Sequence, residues 1–317
     1  MAEPLPVLVV TQPDDVTADI VVAELNRRDV PVVRFDSAEF PHALAFSATI
    51  DGDGLRGRLA TRARRAELGG VRSLYYRRPR GFAFPGLEEQ EARFASLQAR
   101  FGFGGVPASL PRCLYVNHPH AIADAEFKPA QLAVAADVGF VVPRTLITNE
   151  PECARTFAVE HGPVVYKPLR ASPYRQDGKA RTVWVAEVGP DELDGSIAAT
   201  AHLFQTRVRA AGHLRVTAIG ERVFCVRIDS GELVDWRYDY DALTYAVVDT
   251  PPGLTEPIAA FLKRFGLVFG CFDFALRTDG TPVFLECNPN GQWAWLEDET
   301  GVCMTAALAD LLERGNT

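Results

Sequence analysis

The chain has 317 residues, long enough for two or three domains that each bury a core. Hydrophobic residues make up 47% and charged residues 23%, as in ordinary globular proteins, and no apolar run approaches the roughly 20 residues of a membrane span. Lys and Arg number 33 against 41 Asp and Glu, and the resulting net charge of −8 argues against a nucleic-acid binder held by phosphate contacts.

The opening segment, MAEPLPVLVV, has no basic stretch ahead of its apolar one, so no secretory signal is expected. Residues 6–12 read as a buried strand, 14–29 as an amphipathic helix and 30–36 as a second strand. That β-α-β order predicts a parallel, Rossmann-like start. It carries no G-x-G-x-x-G, so a dinucleotide site is not supported there. Asp-Gly pairs at 51–54 predict a hairpin, 73–79 a strand, and 86–103 a charged helix facing solvent. Residues 116–139 form two helical pieces broken before Pro129. An α+β stretch follows: strand VVPRTLIT, helix PECARTFAVEHG, strand VVYKPL, a polar loop and strand TVWVAEV. From 214 onward hairpins dominate, with turns near Gly220-Glu221 and Asp279-Gly280, and the helix TAALADLLERG closes the chain. These shifts divide it into a Rossmann-like domain (1–117), a central α+β domain (118–204) and a C-terminal, mainly antiparallel α+β domain (205–317). The six cysteines show no C-x-x-C pair, and all six read as core thiols of a cytoplasmic protein.

The stretch CFDFALRTDGTPVFLECNPNGQW, residues 271–293, carries the sharpest signal. Asp279-Gly280 between two apolar runs predicts a two-residue type I′ turn, which sets Thr278 opposite Thr281 and Asp273 opposite Glu286. Alternation then puts Phe272, Phe274, Leu276, Val283, Leu285 and Cys287 on one face. Asp273, Glu286 and Asn288 share the other. Like charges opposite on a strand pair repel, so a cation is expected between them. Three oxygen donors without His or thiolate suit a hard ion such as Mg²⁺; Lys or Arg neighbours at a solvated hairpin end would also balance the charge.

Two lysines sit where an anion would help. Lys167 lies in a strand of Val, Val, Tyr and Leu, where it must snorkel or find an anion. Lys128 precedes Pro129 at a helix start, whose positive dipole end attracts phosphate. The loop 170–182 has the length and polarity of either a lid over phosphates or a plain surface loop.

With these residues in place the chain resembles the ATP-grasp superfamily, and more closely the graspetide, or microviridin-type, maturases of ribosomal peptides. The likeness runs from VLVVTQPDD through VPRTLITNEP, VVYKPL, LRVTAIGERVF and DWR to ECNPNGQW. It implies an ATP-grasp fold with a pre-ATP-grasp N-terminal domain. It implies that Lys128 and Lys167 hold the phosphates of ATP, that Gln205 and Val208 in LFQTRV face adenine, and that Asp273, Glu286 and Asn288 ligate Mg²⁺. Arg215 and Arg237 would clamp a substrate carboxylate, with Asp235 holding Arg237; a planar guanidinium suits that task. The implied reaction activates Asp or Glu side chains of a precursor peptide (leader plus core) as acyl phosphates. It then closes ω-esters with Ser or Thr, or ω-amides with Lys. A homodimer is implied by the same likeness. Two other readings share these residues: a ligase for free amino acids or small acids, and a nucleotide-binding regulatory module without chemistry.

Overall fold

The computed structural model describes residues 5–170, 174–177, 179–229 and 243–316. Its first layer is a parallel sheet, β2-β1-β6-β7, made of β1 (Val7–Val10), β2 (Val32–Phe35), β6 (Ser73–Tyr76) and β7 (Leu114–Val116). Between β1 and β2 runs α1 (Val16–Arg27). Asp15 caps it by accepting from Ala18 N, and Ala18, Val21 and Leu25 form its buried stripe. A small antiparallel sheet inserts between β2 and β6: β3 (Leu44–Asp51), β4 (Gly54–Thr61) and β5 (Arg65–Glu67). The first two are the hairpin expected at 51–54. The charged helix is α2 (Glu89–Phe101), exposed along most of its length.

The two helical pieces are α3 (Pro119–Ala125) and α4 (Lys128–Asp137). The central sheet, β12-β9-β13-β8, contains β8 (Thr145–Thr148), β9 (Val164–Lys167), β12 (Ala186–Val188) and β13 (His202–Thr206), backed by α5 (Pro151–His161). The short hairpin β10 (Tyr174–Gln176) and β11 (Lys179–Arg181) occupies the polar loop after β9. Of the strand expected over TVWVAEV only Ala186–Val188 pairs, because that is all of it that lies beside β9. The division drawn at 204 falls within β13.

Five antiparallel strands form the last sheet, in the order β16-β15-β14-β17-β18. They are β14 (Gly212–Ile219), β15 (Arg222–Asp229), β16 (Thr244–Val247), β17 (Phe269–Leu276) and β18 (Pro282–Asn288). One face packs on α6 (Thr255–Phe265) and on α3 and α4. There Phe140, Phe261, Phe272, Phe274 and Phe284 interlock, with the rings of Phe140 and Phe284 stacked at 5.4 Å. The other face meets α7 (Ala294–Thr300) and α8 (Met304–Arg314), which pack in turn on α1 and β6. A single cluster therefore joins the N-terminal sheet to the C-terminal one.

The β17–β18 hairpin departs from expectation twice. Gly280 N donates to Arg277 O and Arg277 N to Thr281 O, both at 3.0 Å, which makes a three-residue loop. Only Gly280 (φ 82°), not Asp279, takes the positive φ that a type I′ turn needs at both positions. That loop shifts the pairing by one, so Phe274 faces Phe284 and Ala275 faces Val283. A bulge that leaves Leu285 unpaired then restores the register, and Asp273 faces Glu286 as expected. Phe284, rather than Val283 or Leu285, consequently occupies the core face. Cys113, Cys225, Cys271 and Cys287 are buried, but Cys153 and Cys303 are exposed and are not core thiols. No helix among the described residues is long and apolar enough to cross a membrane.

Candidate functional site

Asp273 and Glu286 are 7% and 9% exposed, so neither charge is simply hydrated. Each has found a cation. Arg215, opposite Asp273 on β14, donates through Nη1 to both carboxylate oxygens at 2.8 Å. Lys128 Nζ bonds Glu286 Oε2. The amide of Asn288 lies 3.3 Å from Asp273 Oδ2 and 3.5 Å from Glu286 Oε1. The three oxygen-bearing side chains therefore meet on one face, as expected, with Lys128 and Arg215 flanking them.

Lys128 reaches Glu286 because of a residue with no motif. Gln131, one turn further along α4, accepts from Cys287 N at 2.8 Å and donates to Cys287 O at 2.8 Å. Those are both ladder groups of the outer strand β18, so the bonds satisfy a sheet edge and fix where α4 begins. Asn117 works in the same way. It donates to Phe269 O and Pro289 O and accepts from Val268 N and Phe269 N, holding the start of β17 and the loop after β18 together.

Arg215 is buried, and burial opposes its charge, but Asp273 beside it reverses the effect and its pKa is raised. Nη2 donates to Gln292 O at 2.9 Å, while Nε makes no hydrogen bond among the described residues. Gln292 connects onward to the N-terminal domain: its Oε1 accepts from Arg77 Nη2 at 3.0 Å and from Thr17 Oγ1 at 2.5 Å. Arg77 in turn forms a bidentate pair with Asp15, at 2.6 and 3.1 Å, with both side chains fully shielded from solvent. Asp15, Arg77, Gln131 and Gln292 were not singled out from the sequence. For Arg77 a signal existed: it ends the apolar strand SLYYR, where the reasoning applied to Lys167 holds equally.

Lys128, Lys167, Glu286 and Asn288 line a cavity of about 820 Å³, closed on other sides by Arg78 and by Trp184 from the loop after β11. Lys167 Nζ donates to Gln205 Oε1 at 3.3 Å, and Gln205, 3% exposed, donates on to Thr145 Oγ1 at 2.8 Å. Gln205 is thus held beside Lys167. Val208 is not in this cavity; it lines a second one of about 700 Å³ with Val142, Thr206 and Arg277, past the end of β13. Of the loop 170–182, Arg170 pairs with Glu126 at 3.2 Å, and residues 171–173 and 178 lie outside the described residues. Asp235 and Arg237 also lie outside them.

The donor set fits a small hard cation. Two carboxylates and an amide, with no thiolate or imidazole, are what Mg²⁺ takes when phosphates complete its shell. Among the described residues no group of three or more His, Cys, Asp or Glu is arranged to hold a metal ion.

Comparison with known proteins bears on the fold that carries these residues. Residues 6–118 match the family model of the MvdD pre-ATP grasp domain. A RiPP-associated ATP-grasp ligase of Chryseobacterium gregarium, solved in complex with ADP and a leader and core peptide, superposes with a TM-score of 0.89 at 25% identity. The match covers 97% of this chain and 96% of that one. The macrocyclase MdnC of Microcystis aeruginosa MRC, bound with precursor peptide MdnA, gives 0.86 at 26% identity over 97% and 99% of the two chains. MdnB of the same organism gives 0.82 at 26% identity over 98% and 99%. No curated protein matches the chain. The chain has the ATP-grasp fold, and its likeness to graspetide-type maturases covers 97% of it.

Proposed function

We propose that this ATP-grasp chain of graspetide-maturase type is an ATP-dependent ligase that closes rings in a ribosomally made precursor peptide. The observation that carries the reading is the convergence of Lys128, Lys167, Glu286 and Asn288, from α4, β9 and β18, on one cavity, with Asp273 opposite Glu286. The ligands named for the similar ligases, ADP with leader and core peptide and precursor MdnA, support the same substrate class.

When bound at Asp273, Glu286 and Asn288, Mg²⁺ would supply charge neutralisation for the phosphates of ATP. Lys128, from α4, and Lys167, from β9, hold those phosphates in the cavity that both line. Gln205, locked between Lys167 and Thr145, keeps the Lys167 ammonium in place. A side-chain carboxylate oxygen of the peptide attacks the γ-phosphorus and ADP leaves with the bonding electrons. A Ser or Thr hydroxyl, or a Lys amine, then attacks the acyl carbon. It loses its proton and expels phosphate, leaving an ω-ester or ω-amide. The protein's contribution is mainly positioning and charge. Arg237 serves the carboxylate end in this reading, Arg215 holds Asp273, and Gln205 lies toward the adenine. The proposal also extends to a homodimer in the cytoplasm, which light scattering tests.

The test incubates the chain with MgATP and a synthetic peptide bearing Thr and Asp/Glu residues behind a leader segment. ADP should appear, and the peptide should lose the mass of one water per ring. Turnover with free amino acids but not with peptide would replace this reading by a small-acid ligase.

A further inference from the structure

Five cationic residues border the main cavity: Arg77, Arg78, Lys128, Lys167 and Arg170. Four of them are engaged. Arg77 holds Asp15, Lys128 holds Glu286, Arg170 holds Glu126 and Lys167 bonds Gln205. Arg78 differs. Among the described residues it pairs with no carboxylate, and its guanidinium makes one bond, from Nη2 to Asn290 O at 3.3 Å.

The position of Arg78 is built. Alternation along the end of β6 sends Arg77 inward to Asp15 and Arg78 the other way, into the cavity. Asn290 returns the contact by donating from Nδ2 to Arg77 O at 3.0 Å, so residues 77–78 and the loop after Asn288 clamp each other. One N–H of the fork is thereby committed, and the rest remain for a ligand. Arg78 is exposed at the cavity, where desolvation, and next the charge of Arg77, push its pKa down while Asp15 opposes them. An Arg stays protonated at any working pH, so an anion is what would relieve it. Arg215, to which the sequence likeness gives the substrate carboxylate, is differently placed: Nη1 is on Asp273 and Nη2 on Gln292 O.

We infer that Arg78 is the guanidinium that receives the side-chain carboxylate of the substrate peptide before phosphoryl transfer, with Arg215 acting instead as the positioning residue for Asp273. This rests on the peptide-ligase reading above. It places the acid beside the end of β6, in the cavity that Lys128 and Lys167 also line. A planar fork pre-held by Asn290 suits bidentate capture of a carboxylate.

The test compares two forms of the fluorophore-labelled precursor, with Glu or with Gln at one ring-forming position, binding to wild type, Arg78→Ala and Arg78→Lys. MgADP affinity is measured by calorimetry on the same samples, and circular dichroism confirms folding; the lysine variant serves if the alanine one does not fold. Wild type should prefer the Glu form by about tenfold, the scale of one charge-assisted contact. Arg78→Ala should lose that preference while binding MgADP as wild type does, and Arg78→Lys should recover part of it. A Glu preference that survives in Arg78→Ala overturns the inference. So does a drop in MgADP affinity, which would make Arg78 a phosphate ligand. A wild-type protein that binds neither peptide form fails at the earlier step and removes the peptide-ligase reading itself.

Discussion

Asp15 and Arg77 pair in two places at once, Nε on Oδ2 at 2.6 Å and Nη2 on Oδ1 at 3.1 Å, with no solvent reaching either side chain. Through Gln292 and Arg215 the pair connects the first helix of the chain to Asp273. Asp15→Asn strands the guanidinium, and removing one partner of a buried pair costs about 3–5 kcal/mol. Denaturant unfolding should show a loss of that size. A loss below about 1 kcal/mol, the scale of exposed pairs, would mean that water reaches Arg77.

The same pair makes a pH prediction. Burial raises the pKa of Asp15, but the hydrogen bond and charge of Arg77 outweigh it, so the carboxyl titrates below its ordinary value. A depressed carboxyl stabilises the fold above its unfolded pKa, about 4, and loses that contribution as pH falls through the lower folded value. The melting-temperature gap between wild type and Asp15→Asn should therefore be constant from neutral pH to about 4 and shrink on further acidification. A gap that widens in acid would contradict this origin.

Lys167→Ala should leave the fold intact, since the ammonium lies at the cavity and not in the apolar core. It should weaken ATP binding by about tenfold or more, the loss expected for one charge-assisted phosphate contact. Equal affinities in a calorimetric titration would take Lys167 out of the phosphate site.

Gly291 is a steric requirement. A Cβ there would lie 2.6 Å from Cys271 Sγ and 3.0 Å from Arg215 Nη2. Both neighbours are buried on rigid strands, so Gly291→Ala should cost about 1–3 kcal/mol, as overpacking does. It should also depress ADP release by moving Arg215. A variant with unchanged stability and rate would show that the loop after β18 yields freely.

The parts of the site that could be read from sequence are those fixed by local alternation. Asp273, Glu286 and Asn288 share a face because strand periodicity puts them there. Their register came out as expected although the three-residue loop and the Leu285 bulge each departed from it, the second cancelling the first. A bulge has no residue-type signature, so Val283 and Leu285 were placed on a face that Phe284 occupies. Lys128 and Lys167 were legible as cations in awkward surroundings. Gln131, Asp15 and Gln292 were not, because a polar residue in a helix or loop looks solvated until tertiary docking buries it. Cys153 shows the converse: an apolar neighbourhood in sequence did not bury it.

The central claim is that Asp273 and Glu286 face each other to serve a metal-bound nucleotide rather than to make structural ion pairs. Glu286→Gln separates the two. Lys128, whose side chain is 21% exposed, can turn its ammonium to water, while the repulsion across the strand pair disappears. The variant should melt in EDTA at least as high as wild type, yet release no ADP with MgATP and peptide, so that stability and activity move in opposite directions. A Glu286→Gln protein that is destabilised by several kcal/mol, about 3–5, and still turns over ATP would show instead that Glu286 exists to hold Lys128.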